Sequence, residues 1–375
     1  MPKCENPLWP CAMTGATACL AGFEGITVVI HGSSGCYYYP TTLLHVPLHG
    51  TFILENEVIF GSEERLHEVI EELQGKGKRI AIVTSCVPAI LGEDIRSMLD
   101  SNDIILVDSP GFSGNFEIGY HTALSILEPA IDSDAVGINI DGVSLFDPFH
   151  RGNVQEVVRL LTQACVPAGT VLCFDHIDKL KHCSPFTLGV DGDLASGLGN
   201  YLGNTLGFHA INETFNRIGQ VIEDSNVESV INENSRQEER VIQVCDKFLR
   251  RFDPPSVVIF ASFSIGAFVA NLLDKYLDAE IVCIGSRTDQ KYDLPYQVQR
   301  VDGLSDVKRL IDYYTPDLVV GSSFERSVKG GAAFVGITPP LRGTVRLASR
   351  PLAGIEGSLF LIEDVLNACM DRQSA

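Results

Sequence analysis

Residues 79–95 read RIAIVTSCVPAILGEDI, and this stretch decides the fold class. Its first six residues are β-rich and almost continuously apolar, as a strand buried on both faces must be. Such a strand belongs in a parallel sheet covered by helices. Before it, Leu66, Val69, Ile70 and Leu73 recur at helical spacing, and Ser62 stands where an N-cap would. After it, Gly92 to Leu99 reads as a second helix.

The same unit recurs along the chain. Strands are predicted at 103–108, 135–140, 170–174, 256–261, 280–284, 317–321 and 333–337. Helices are predicted near 121–129, 153–164, 238–251, 265–277 and 305–314, with a last one near 357–369. Alternating strands and helices predict an α/β chain of doubly wound, Rossmann-like parallel sheets. The 375 residues allow two or three domains at about 150 residues each. The polar stretch 222–240 is the best candidate for a boundary. The expected division is 1–150, 151–235 and 236–345, with 346–375 forming a C-terminal helix that packs back.

Charge and composition narrow the function. The chain carries 28 basic and 48 acidic residues, a formal charge of −20. That surface repels phosphate backbones, so nucleic acid is excluded as a partner class. There is no apolar run of about 18 residues to span a membrane. The N-terminal MPKCENPLWPCAMTG has no apolar signal core, so the expected location is cytoplasmic. Eleven cysteines, an odd number, argue for thiols or metal ligands over a disulfide framework.

Three of those cysteines share a setting. Cys11 sits in WPCAMTGA, a loop flanked by proline and glycine. Cys36 sits in VVIHGSSGCYYYP, just past an apolar strand and two glycines. Cys86 follows the strand at 79–84 and stands two residues before Pro88. Small residues let backbone approach an iron–sulfur cluster, and their amides can donate to its sulfides. Their spacing alone is equally that of buried, inert thiols. That inert reading suits Cys173 and Cys283, placed inside strands, and Cys245, placed in a helix. It also suits Cys165 and Cys369. Cys4 and Cys19 flank Cys11 and stay ambiguous. Cys183, with His176 and His182 in CFDHIDKLKHC, suggests a second metal site, against a solvated loop.

The loops CAMTGA (11–16), HGSSGC (31–36) and CVPAILGEDI (86–95) together resemble those of the nitrogenase component 1 superfamily. ENEVIFGSEERL (55–66), GFSGNFEIGYHTAL (111–124) and GIEGSLFLIEDVLNA (354–368) are similar to further stretches of it. The resemblance implies three doubly wound domains per subunit. It implies a 4Fe–4S cluster held by Cys11, Cys36 and Cys86 near a subunit interface, with the fourth ligand left open. It also implies a separate iron–sulfur reductase that consumes ATP and passes on single electrons. GKGKRI (75–80) lacks the spacing of a phosphate-cradling loop, in keeping with ATP use by that partner.

The chain is short for the superfamily. Its compact form resembles the branch that acts on nickel tetrapyrroles in coenzyme F-430 biosynthesis. That branch implies a homodimer, ring reduction and closure of a lactam. On this reading Arg342, Arg346 and Arg350 in PPLRGTVRLASRP would pair with substrate carboxylates, against ordinary surface arginines. His121 and His176 would supply protons, against structural roles. The alternatives are a subunit of a protochlorophyllide-type reductase and a non-catalytic scaffold for metallocofactor assembly.

Overall fold

The computed structural model describes residues 8–99 and 103–374. The chain packs as two compact units. The first runs to Asp132 and adds Ser144–Phe146 and Leu172–Cys183; the second holds the rest.

The first unit contains helix α1 (Ala12–Gly22), strand β1 (Ile26–His31), α2 (Ser34–Leu44), β2 (His49–Gly50), α3 (Glu55–Phe60), α4 (Glu63–Leu73), β3 (Arg79–Thr84), α5 (Cys86–Leu91), β4 (Ile105–Asp108) and α6 (Phe116–Ile126). Its parallel sheet has the order β2-β1-β3-β4. Ile80 and Ile82 of β3 pack with Val29 of β1 and with Leu66, Ile70 and Leu73 of α4. The helical spacing of those α4 residues supplies one apolar stripe, and the sheet buries it.

The second unit begins with β5 (Ile138–Asp141), α7 (His150–Gln163), β6 (Ala168–Val171), β7 (Phe186–Gly189), β8 (Asn200–Asn204), α8 (Phe208–Val221) and α9 (Val227–Leu249). It continues with β9 (Ser256–Ala261), α10 (Phe263–Leu277), β10 (Glu280–Ser286), β11 (Val298–Arg300), α11 (Leu304–Tyr314), β12 (Leu318–Gly321), α12 (Ser323–Val328), β13 (Ala333–Gly336) and α13 (Gly354–Ser374). Two parallel sheets result, ordered β6-β5-β7-β8 and β11-β10-β9-β12-β13. The fold class is thus α/β with parallel sheets, as the alternation predicts.

Three local expectations are corrected. The helix expected over Gly92–Leu99 lies instead at Cys86–Leu91, and residues 95–98 only turn. Gly92 adopts φ +71° and closes α5 as a left-handed cap, so the glycine is a stop rather than a start. Cys173 is outside any strand, because β6 ends at Val171 and Cys173 takes φ +55°. The polar stretch 222–240 is mostly helix. Val230, Asn234, Val241, Cys245 and Phe248 of α9 are buried, a stripe hidden within a polar segment.

Candidate metal centre

The register of the first sheet brings three loops to one edge. His31, Thr84 and Asp108 are neighbours across β1, β3 and β4, and each is the last residue of its strand. The chain leaves those ends as 32–36, 85–86 and 109–115. β1 pairs with β2 on one side and β3 on the other, so the crevice beside them is a topological switch point. Cys36 sits in the first turn of α2, and Cys86 is the first residue of α5.

Cys11 arrives from another direction. It is the N-cap residue of α1 and pairs as an antiparallel bridge with Asn115, while the Ala12 amide donates to the Gly114 carbonyl at 3.0 Å. All three thiols therefore stand at helix starts. They are half-buried.

Gly111 lies beside two of them. A Cβ there would lie 3.1 Å from both Cys11 Sγ and Cys86 Sγ. The amides of Gly111 and Phe112 donate to Cys86 Sγ. Burial pushes the Cys86 thiol above its ordinary pKa; those amides pull it back, and the nearby Cys36 and Cys11 raise it further. Among the described residues, no three His, Cys, Asp or Glu side chains are placed to hold a single metal ion. A polynuclear cluster is the ligand whose size spans separated thiols. Three sulfur donors, a side-chain-free wall at Gly111 and amides aimed at sulfur fit an iron–sulfur cluster.

A buried network holds the loops. His31 Nε2 lies 3.0 Å from Ser62 Oγ, and Ser62 donates through Oγ and its amide to Glu93 at 2.6 and 3.0 Å. This ties the end of β1, the start of α4 and the segment after α5. Burial lowers the His31 pKa, against the pull of Glu93. Ser62 was legible as a cap position, but its side chain serves this network. His31 and Glu93 lie inside HGSSGC and CVPAILGEDI, and their pairing has no sequence signal.

Apolar side chains surround the cysteine loops in sequence and remain exposed. Tyr38 on α2 is 60% exposed, Ile59 and Phe60 on α3 are 71% and 85%, and Ile90 on α5 is 70%. Exposed apolar groups gathered on neighbouring helices are the mark of a docking surface.

The remaining cysteines and histidines are placed as follows. Cys19 faces Cys173, with the sulfurs 3.4 Å apart in the core. Cys4 lies outside the described residues. Cys183 is buried, and His182 pairs with Asp132 at 3.0 Å; no metal-ligand group forms there among the described residues. His176 pairs with Asp178 at 3.4 Å and bridges to Glu24, just before β1. That is the amino end of the strand whose carboxyl end leads to Cys36. His121 packs edge-on against the Tyr120 ring in α6.

In the second unit, Arg346 stacks on Phe149 at 4.5 Å and donates to the Gly336 carbonyl. Arg350 pairs with Asp364. Both serve packing, whereas Arg342 is exposed. Asp147 accepts from the Phe149 amide and from Asn153 Nδ2 at 2.9 and 2.8 Å. Burial of its carboxyl pushes the pKa up to about 7, against those bonds and the Arg346 charge.

The sign of the Asp147 effect follows. A folded pKa above the unfolded value gives stability that is full below about pH 4 and lost as pH rises to 7. Wild type should therefore lose about 2 kcal/mol more than Asp147→Asn between pH 4 and 8, after discounting for partial exposure. Urea unfolding of both proteins at each pH measures this. Parallel curves would mean that Arg346 keeps the carboxylate ionised throughout.

Comparison with known proteins adds a family and a fold. The family model described as nitrogenase component 1 type oxidoreductase matches residues 11–189 and 195–370. The nitrogenase molybdenum-iron protein beta chain of Frankia alni is 31% identical over 186 residues, covering 42% of this chain and 35% of that one. The nitrogenase iron-molybdenum cofactor biosynthesis protein NifE of Clostridium pasteurianum is 22% identical over 320 residues, covering 76% and 69%. The chain thus spans about a third of the beta chain it matches. A solved structure titled nitrogenase Cp1 at pH 6.5 superposes with a TM-score of 0.82 at 17% identity, covering 98% of this chain and 93% of that one.

Proposed function

Because the chain belongs to the nitrogenase component 1 type oxidoreductases, we propose that it is the catalytic component of a nitrogenase-like reductase acting on a nickel tetrapyrrole. The substrate of this reading is Ni-sirohydrochlorin a,c-diamide, reduced and closed to a lactam on the route to coenzyme F-430. The observation that carries the reductase reading is the gathering of Cys11 and Cys86 beside Gly111, with Cys36 close enough to act on the Cys86 thiol. The choice of substrate rests on the sequence resemblance to that branch of the family.

On this reading the three thiolates hold a 4Fe–4S cluster. Such a cluster supplies single electrons at potentials down to about −700 mV. The Gly111 and Phe112 amides draw charge from Cys86 Sγ. His31, Ser62 and Glu93 fix the loops. The exposed apolar side chains of α2, α3 and α5 meet a second copy of the chain, making the homodimer. An iron–sulfur reductase consumes ATP and delivers the electrons, and each electron pair entering the ring is matched by two protons. Of Arg342, Arg346 and Arg350, Arg342 is the exposed one and would meet a substrate carboxylate. The division at residues 150, 235 and 345 remains part of this proposal.

One observation favours a second reading. The cofactor biosynthesis relative aligns over 320 residues, against 186 for the beta chain. A scaffold for metallocofactor assembly would use the same three thiols. The deciding experiment combines anaerobic protein, the reductase, ATP and Ni-sirohydrochlorin a,c-diamide. ATP-dependent loss of the substrate's absorbance, with a product of the lactam's mass, supports the cyclase. No turnover, with iron passing to an added acceptor protein, overturns it in favour of the scaffold.

A further inference from the structure

Thr14 stands in the first turn of α1, three residues after Cys11, and is fully buried. A hydroxyl in that position needs a partner, because an unmade hydrogen bond in the interior destabilises the fold. Threonines inside helices ordinarily donate to the carbonyl four residues back. Thr17, Thr41, Thr122 and Thr162 do so here, at 2.7–2.8 Å. Thr14 does not. Its partner among the described residues is Cys11 Sγ, 3.8 Å from Oγ1.

The local geometry explains this. Cys11 is the N-cap of α1, with extended backbone, and its sulfur makes no cap bond to the first amides. Thr14 is the third helical residue. Side chains at those two positions face each other across a first turn, as the halves of a capping box do. Here a sulfur and a hydroxyl occupy them.

The two thiols beside Gly111 are thus supplied with donors in different ways. Cys86 Sγ accepts from the Gly111 and Phe112 amides. Cys11 Sγ has the Thr14 hydroxyl. While Cys11 is a thiol, either atom of the pair can donate. A thiolate bound to iron carries no proton, so only the hydroxyl can. Ligation therefore fixes the direction of the bond, and charge on the acceptor strengthens it.

We propose that Thr14 is a positioning residue of the cluster. Its hydroxyl donates to the Cys11 thiolate, holds that sulfur in place and raises the reduction potential of the cluster. This rests on the reading that Cys11, Cys36 and Cys86 hold iron. A donor to a ligand sulfur stabilises the more negative, reduced state over the oxidised one. Thr14 thereby sets how readily an electron is accepted and takes no part in the chemistry on the substrate.

The test compares wild type, Thr14→Val and Thr14→Ser, each purified anaerobically as the full chain. Iron per chain is assayed, and the midpoint potential is read from the absorbance and EPR signal during a reductive titration. Valine keeps the shape of threonine and removes the donor, whereas serine keeps the donor. Thr14→Val should retain its iron and titrate at lower potential. At the wild-type midpoint its ratio of reduced to oxidised cluster should fall about threefold or more, a shift of about 28 mV or more for one electron. Thr14→Ser should titrate with wild type. Loss of iron from Thr14→Val alone also supports the proposal, through the hold on Cys11. Thr14→Val with full iron and the wild-type potential overturns it and leaves the cluster reading standing. An equal shift, or an equal loss of iron, in both variants overturns it as well, since a packing defect would act on both. A wild type without iron overturns both readings.

Discussion

Alanine at any one of Cys11, Cys36 and Cys86 is expected to cost the anaerobically purified protein its iron, from about four atoms per cluster to near none. Each thiol comes from a different segment: the start of α1, the first turn of α2 and the first residue of α5. Among the described residues, no neighbouring thiol can stand in for a lost one. Cys19 is turned to Cys173 in the core. Cys245 and Cys283 are buried, which pushes their thiols up to about 12 and about 11 and keeps them protonated and inert. Cys245→Ala and Cys283→Ala are thus the controls, and both should keep full iron at a modest cost in stability. Iron and sulfide assays on the five variants read the result. Full iron in a Cys11, Cys36 or Cys86 variant removes that cysteine from the ligand set. A wild type with no iron removes the cluster altogether.

What the sequence disclosed depended on how local its physics is. β3 was readable because a strand buried on both faces is a continuous apolar run, and RIAIVT is one. α4 was readable because its stripe repeats at helical spacing. β7 (FTLG) and β8 (NYLGN) were not found, since each is short and carries a glycine that no strand propensity favours. α9 was half-found because charged residues between its buried positions outweigh the stripe. The three cysteines could be singled out by their loops, yet their convergence could not. It depends on the register of β1, β3 and β4 and on the Cys11–Asn115 bridge, which join residues far apart in the chain. Arg346 and Arg350 show what a loop rich in arginine leaves open in the sequence: substrate contact or ordinary structural roles. In the structure Arg346 stacks on Phe149 and donates to the Gly336 carbonyl, and Arg350 lies over Phe360 and pairs with Asp364.

Alanine at Gly119 is expected to destabilise the first unit by about 3 kcal/mol, although alanine is the better helix former by about 1 kcal/mol. The reason lies where α1 crosses α6. A Cβ on Gly119 would sit 1.7 Å from the Ala12 carbonyl oxygen, and one on Gly15 would sit 1.8 Å from the Phe116 carbonyl oxygen. Both obstacles are backbone, so no rotamer change relieves them and the helices must separate. Separation opens a face that is almost wholly buried, since residues 12–20 of α1 are inaccessible. It also moves Cys11, the residue before Ala12, away from the segment that carries Gly111. Stability and metal binding should therefore fall together: a lower urea midpoint, and reduced iron per chain even where the protein remains folded. Gly331→Ala is the matching control, because a Cβ there meets nothing within 4 Å and its backbone needs no left-handed turn. A Gly119→Ala protein with wild-type midpoint and full iron would show that α1 and α6 stand farther apart than this crossing requires, and that Cys11 is positioned by its own loop alone.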